Sequence, residues 1–381
     1  MLNSGMFTAP ASKVTADPSI SSSYIPALDG LRAIAFLCVF VAHTTGNTIS
    51  RFVPATFGVT LFFFLSGYLI TTLLRNEHRK TGTISLRDFY IRRALRIFIP
   101  MYITYAVAAG VSKFVFSMPP GNTAGFWSVI LYCFNYVRML HPQAVLPIGF
   151  DVTWSLNVEE HFYILFPVLF SLLLRKRVAL ATQVKLLLGL CLLGLCWRTY
   201  VNYHHFPLFW TYFATDCRFD SILWGCLLAV WTNPRYDAPT PLLKRYSGVL
   251  AALAFAALVG SMFSNSWNYR ETLRYTLQGI CLYFIFYFAI SSINHWSVRW
   301  LENKALRYIG WLSYTLYLIH STVHGILVQY LPPKKDWLVA IVCFAISMAY
   351  AIAMRYTVEV PLQKLRARFR HTASTAVLIA N

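Results

Sequence analysis

An arginine and a histidine lie on one stripe of the first hydrophobic segment, and together they could support acid–base chemistry inside a membrane. The segment runs from Leu28-Asp29-Gly30-Leu31-Arg32 through ten residues, of which only Cys38 departs from simple hydrocarbon, to His43. As a helix it puts Arg32 and His43, eleven residues apart, on nearly the same face and roughly 16 Å apart along the axis. Asp29 shares that face one turn earlier. Ionisable side chains within a span are costly and normally face a protein interior or a wet cavity, so this stripe reads as a site. A histidine is the usual general base near neutral pH. Its structural alternative is a ring hydrogen-bonded to a neighbouring helix.

Three further groupings could serve such a site. The run Asp151-Val152-Thr153-Trp154-Ser155-Leu156-Asn157-Val158-Glu159-Glu160-His161-Phe162-Tyr163 puts Glu159 and Tyr163 one turn apart on one helix face. A carboxylate there could orient His43 or stabilise its protonated form. Asn157 and Glu160 could instead form a capping-box-like start to the helix. In Arg92-Arg93-Ala94-Leu95-Arg96, ahead of Pro100, Arg93 and Arg96 share a face. Paired arginines suit phosphate recognition, and they equally suit anchoring at the membrane edge. Arg218 and Asp220 are not helical neighbours, so each is expected to pair with a different element. His320 ends Tyr314-Thr315-Leu316-Tyr317-Leu318-Ile319-His320 inside another apolar run, either as part of the site or as a core histidine satisfied by a neighbour. His161, His204 and His205 read as interfacial. No histidine pair has the His-Glu-x-x-His spacing, and no catalytic metal is expected.

These residues need a membrane-embedded scaffold to hold them, and the composition supplies one. Of 381 residues, 57% are hydrophobic and only 12% charged, about half the charged fraction of a typical soluble domain. Mean hydropathy is +0.53. The chain is therefore read as an all-α polytopic membrane protein. Apolar runs fall at approximately 27–45, 57–74, 97–116, 159–174, 186–203, 208–231, 246–264, 272–293, 308–330 and 337–356, which gives about ten transmembrane helices. A shorter stretch at 126–137 reads as re-entrant or interfacial.

The net charge of +19 would suit nucleic acid, but its placement argues otherwise. With the N-terminus inside, the basic residues concentrate in 75–96, 175–185, 232–245, 294–307 and the tail from 357. Lys334-Lys335 is the main exception. The positive-inside rule then puts both termini in the cytoplasm, and excess charge can also meet anionic lipid. Residues 1–24 read as a disordered cytoplasmic tail, 25–365 as the transmembrane domain and 366–381 as a short basic tail. The eight cysteines sit mostly in apolar runs without Cys-x-x-Cys, as small buried hydrophobes.

Taken in order, the segments resemble the acyltransferase 3 family of integral membrane O-acyltransferases from about Tyr24 to Leu365. The resemblance rests on Arg32-x10-His43, Phe62-Phe63-Phe64-Leu65-Ser66-Gly67-Tyr68-Leu69, Arg93-x-x-Arg96, and Trp154-Ser155-Leu156 leading to Glu159 and Phe162-Tyr163. It continues through Arg218-x-Asp220 with Gly225, Ser313-Tyr314-x-Leu316-Tyr317-Leu318-x-His320, and Val358-Glu359-x-Pro361. His161 departs from the Gln found in many relatives. The resemblance implies a ten-span fold in the bacterial cytoplasmic membrane and transfer of an acyl group, usually acetyl. The donor would be cytoplasmic acetyl-CoA or another acyl-CoA, and the acceptor a hydroxyl of an extracytoplasmic or lipid-linked glycan. On that reading His43 is the base or is transiently acylated, Glu159 orients it, Arg32 lines the donor channel or steadies the thioester, and Arg93 and Arg96 hold donor phosphates. Asp29, Trp154, Ser155, Tyr163, Arg218, Asp220 and His320 support them. The chain would complete transfer alone or pass the acyl group to a partner protein. The alternative is a transporter of a lipid-linked sugar or small organic anion using the same polar stripe.

Overall fold

A computed structural model describes residues 25–45, 55–117, 119–204, 206–264, 266–331 and 336–369. The expected tail 1–24, His205, Lys334-Lys335 and residues 370–381 lie outside the described residues. The long helices are α1 Pro26–Thr44, α2 Ala55–Thr81, α3 Leu86–Gly110, α4 Trp154–Arg175, α5 Leu180–Tyr203, α6 Thr215–Trp231, α7 Pro241–Met262, α8 Leu273–Ser291, α9 Lys304–Tyr330 and α10 Asp336–Met354. Among the described residues, eight helices are long and apolar enough to cross a membrane. They are α1 to α5, α7, α8 and α10, three of them taken with the short turns that continue them. The other two long helices, α6 and α9, carry much of the buried polar chemistry, including Arg218, Asp220 and His320. The chain is thus an all-α polytopic membrane protein.

Each apolar run became a helix, and most helices outrun their apolar stretch. The largest change is at α3. Arg92, Arg93 and Arg96, counted above with an inner loop, lie in the first turns of this helix. Ser85 caps its start, with its hydroxyl accepting from the Asp88 amide. The connection between α2 and α3 shrinks to residues 82–85. Glu77 stitches it, accepting from the Ser85 amide and pairing with Arg92 at 3.0 Å. The 126–137 stretch forms two short helices, Thr123–Ile130 and Phe134–Leu140. The suggested capping box is absent. A 3-10 turn, Phe150–Thr153, precedes α4, so Asn157 and Glu160 both lie inside the helix.

The core gathers around α2 and α6, where Phe63, Phe64, Tyr68 and Ile222 are fully buried. The two helices meet backbone to backbone. A Cβ on Gly67 would strike the Ile222 carbonyl, and one on Gly225 would strike the Phe64 carbonyl. Small residues permit such close helix approach where packing, not hydrophobicity, drives association in lipid. We expect Gly225→Leu to cost about 1–3 kcal/mol by overpacking, read as a lower thermal unfolding midpoint in detergent. Gly189→Ala, with open space around its Cβ position, is the neutral control.

Candidate active site

Two adjoining cavities open among the helices, the first between α1, α2, α3, α4 and α9 and the second between α1, α3, α9 and the segment after α10. The first, about 230 Å³, is lined by Arg32, Ser66, Arg93, Arg96, Glu159 and Tyr317, among others. The second, about 200 Å³, is lined by Arg32, Arg96, Arg355, Glu359 and Arg366, among others. Asp29, Arg32, Arg96 and Tyr314 belong to both walls. The beginning of α1 and the segment after α10 therefore meet at one end of the bundle.

The cationic character of this end follows from how its arginines are held. Arg92 is committed to Glu77 and to the Phe369 carbonyl. Arg93 instead lies on aromatic faces, 4.6 Å from the Tyr163 ring centre and 5.8 Å from Phe89. Among the described residues, Arg32, Arg93 and Arg96 form no ion pair. Beside them, a π-helical turn, Arg355–Glu359, breaks the α-helical register after α10. There Glu359 accepts from Thr315 at 2.6 Å and from Arg355 at 3.2 Å. Such turns are frequent at functional sites. Arg366, expected in a terminal tail, belongs to the helix Val360–Ala367 and lines the second cavity.

Glu159 sits in the first cavity with both oxygens engaged. It accepts from Ser66 Oγ at 3.0 Å and from Tyr163 OH at 2.8 Å. Its partners are thus hydroxyls of its own surroundings, and His43 is not among them. The expected Glu159–His43 pairing is not what the structure shows: the carboxylate lines the arginine-rich cavity, and His43 lines neither cavity. Asp29 faces α9, where Trp311 Nε1 donates to it at 2.8 Å.

His43 lies exposed at the far end of α1. Its Nδ1 is 3.0 Å from Nε2 of His320, which is fully buried. Between this pair and the cavity stands Tyr317, on α9 one turn before His320. Tyr317 OH bonds to Ser155 Oγ at 2.7 Å and donates to the Val152 carbonyl at 3.1 Å. Phe62 packs edge-on against the Tyr317 ring. The cavity thus runs from the arginines to a Ser155–Tyr317 partition, with the histidine pair behind it.

Arg218 and Asp220 pair with different elements, as their spacing predicts, and neither lines either of the two cavities. Arg198 on α5 and Asp220 form a fully buried bidentate pair, with both contacts at 2.9 Å. The remaining Arg198 donors reach the Thr272 and Cys217 carbonyls and Thr276 Oγ1, so all five are used. Arg218 rests on Tyr275, 3.9 Å from its ring centre, and donates to Thr60. Trp154 belongs to this second cluster, packing on Phe63 and Tyr212 and under Arg218. The sequence reading missed Arg198, Ser66, Arg355 and Arg366 as partners of chemistry. An arginine inside the apolar run 186–203 was itself the signal for Arg198. His161, read as interfacial, is half-buried and bonds Thr215 Oγ1 at 2.7 Å. Among the described residues no group of His, Cys, Asp and Glu could hold a metal ion.

Comparison with known proteins adds to this geometry. The acyltransferase domain family matches residues 25–356. Peptidoglycan O-acetyltransferase OatA of Listeria monocytogenes is 28% identical over 321 residues, covering 80% of this chain and 50% of the relative. O-acetyltransferase OatA of Staphylococcus aureus is 28% identical over 364 residues, covering 90% of this chain and 58% of the relative. The chain therefore spans between half and three-fifths of the length of these curated relatives. No solved structure matches. With the family match spanning nearly all of the helical bundle, the chain belongs to the acyltransferase 3 family.

Proposed function

We propose that this protein transfers an acyl group, acetyl in the simplest case, from acyl-CoA to a hydroxyl of a cell-envelope carbohydrate. The observation that carries this reading is the cavity itself. It joins Arg32, Arg93 and Arg96 at one end to Ser155 and Tyr317 at the other, one helical turn from His320 and its partner His43. Anionic phosphates suit the arginine end, and the apolar lining beyond it suits the pantetheine arm. With ten crossings and the arginine end facing the cytoplasm, the donor enters from inside the cell and the acceptor reaches His43 from outside. Placement in the bacterial cytoplasmic membrane belongs to this proposal.

In the proposed reaction, His43 takes the proton of the acceptor hydroxyl as its oxygen attacks the thioester carbonyl. The carbon–sulfur bond then breaks, and the proton passes to the leaving thiolate, yielding an ester and free CoA. Arg32 steadies the developing oxyanion, and the reactants meet when the Tyr317 partition opens. Glu159, held by Ser66 and bonded to Tyr163, fixes the ring on which Arg93 rests. Glu159 thus serves the donor end of the site. Alignment of two bound reactants can supply about 7–11 kcal/mol.

The test is purified protein in liposomes with labelled acetyl-CoA. Release of free CoA, transferred or hydrolysed, is expected. Arg96→Ala should weaken donor binding roughly ten- to hundredfold, as loss of a charge-assisted hydrogen bond implies. Unchanged donor affinity in that variant would remove the phosphate assignment. A well-folded sample that neither turns over nor binds acetyl-CoA would favour the transporter reading.

A further inference from the structure

We infer that His320 is a positioning residue that locks His43 in the Nδ1–H tautomer and leaves Nε2 as the basic atom. The inference rests on the acyl-transfer reading only for its kinetic consequence; the tautomer follows from the hydrogen bonds themselves.

The chain of bonds starts at a backbone carbonyl. His320 Nδ1 lies 2.8 Å from the Tyr317 carbonyl oxygen. A carbonyl only accepts, so this nitrogen carries the hydrogen. A neutral imidazole has one N–H, which makes His320 Nε2 an acceptor. That acceptor lies 3.0 Å from His43 Nδ1, so His43 Nδ1 must donate and His43 Nε2 keeps its lone pair. The alternative, a doubly protonated His320, would be a fully buried cation, and no carboxylate bonds to either ring among the described residues. Burial without such a partner is strongly unfavourable.

Ring geometry supports a real N–H···N bond. The two imidazoles are nearly coplanar, at 8°, with centroids 5.3 Å apart. With nitrogens at 3.0 Å, that separation means rings lying edge to edge, in the plane of both lone pairs. Face-to-face stacking would bring the centroids much closer. His320 cannot easily rotate out of this plane. Phe36 packs against its ring edge-on at 88°, and Phe40 and Tyr317 cover it further. The two nitrogens of an imidazole point in diverging directions, so Nε2 of His43 faces away from the buried partner. His43 is also the exposed member of the pair.

The arrangement is a carbonyl–imidazole–imidazole relay, in which a neutral ring does the orienting that a carboxylate does in many sites. When Nε2 takes a proton, the His43 Nδ1–H···His320 bond becomes charge-assisted and strengthens. No net charge is buried at His320 in either state.

Two measurements test this. Nitrogen NMR of protein labelled with 15N-histidine, assigned with a His43→Asn sample, should show His43 with a protonated Nδ1 and a bare Nε2. In His320→Leu that preference should be lost. In kinetics, His320→Leu should lower kcat roughly a hundredfold, as loss of an outer-shell partner does at its upper range, with KM for the donor little changed. His320→Gln retains an acceptor for His43 and should recover most of that rate. A wild-type His43 protonated on Nε2 would overturn the inference, as would a His320→Leu enzyme that matches His320→Gln in kcat. The resonances need no turnover, so failure of the acyl-transfer reading and failure of the tautomer assignment are separately visible.

Discussion

His43→Ala is expected to lower kcat for acyl transfer by about 10²–10⁴-fold, the usual effect of losing a positioned general base. Donor affinity should hardly move. That separation is a direct consequence of the architecture, because His43 lines neither arginine-bearing cavity whereas Arg32, on the same helix stripe, lines both. The check is kcat from labelled acetyl-CoA in liposomes beside a direct donor-binding measurement on the same sample. Near wild-type turnover would take His43 out of the chemistry. A parallel loss of donor binding would place it in the donor site, contrary to the structure.

Arg198→Leu is expected to destabilise the fold by about 3–5 kcal/mol, because it strands a buried carboxylate. Asp220 is fully enclosed, and Arg198 supplies both of its bidentate contacts. Thr276 is the remaining donor to it, at 3.2 Å, and a single hydroxyl does not neutralise a charge. Replacing both residues, in Arg198→Leu with Asp220→Leu, should recover much of the loss, since the cost lies in the unpaired ion more than in the missing pair. Unfolding midpoints in detergent read both outcomes. A single variant as stable as wild type would show that Asp220 is not held as a buried ion.

The two predictions also mark how far the residues alone could be read. Apolar runs located every long helix, because a span must satisfy its backbone internally and fill its length with apolar side chains. Helix ends were harder. Arg92, Arg93 and Arg96 look like a loop by hydropathy, yet α3 starts at Leu86, since a capping serine and arginine stems can extend a helix past the apolar slab. Within the site, spacing brought Arg93 together with Arg96, and Glu159 with Tyr163, because helical neighbours are visible in one dimension. Partners across helices were not. Glu159 turns to Ser66, ninety-three positions away, and His43 turns to His320. Nothing in the spacing of α4 says which of several helices its carboxylate will face. The π-helical turn after α10, which sets the places of Arg355 and Glu359, likewise leaves no periodic trace.

The partition at Tyr317 has an electrical consequence. A protein that admits one reactant from each side of a bilayer risks becoming a conduit for protons, and each charge crossing 100 mV dissipates about 2.3 kcal/mol. Conduction along water needs a continuous file of hydrogen-bonding groups free to reorient. Here the Ser155 and Tyr317 hydroxyls are bonded to each other and Tyr317 donates to the Val152 carbonyl, so both hydroxyl hydrogens are used within the group. The hydroxyl pair is closed on itself, and Phe62 and Tyr317 supply hydrocarbon around it. On the proposed reading, the insulating layer of the membrane is continued through the protein by two side chains and one backbone oxygen, at the place where donor and acceptor would meet.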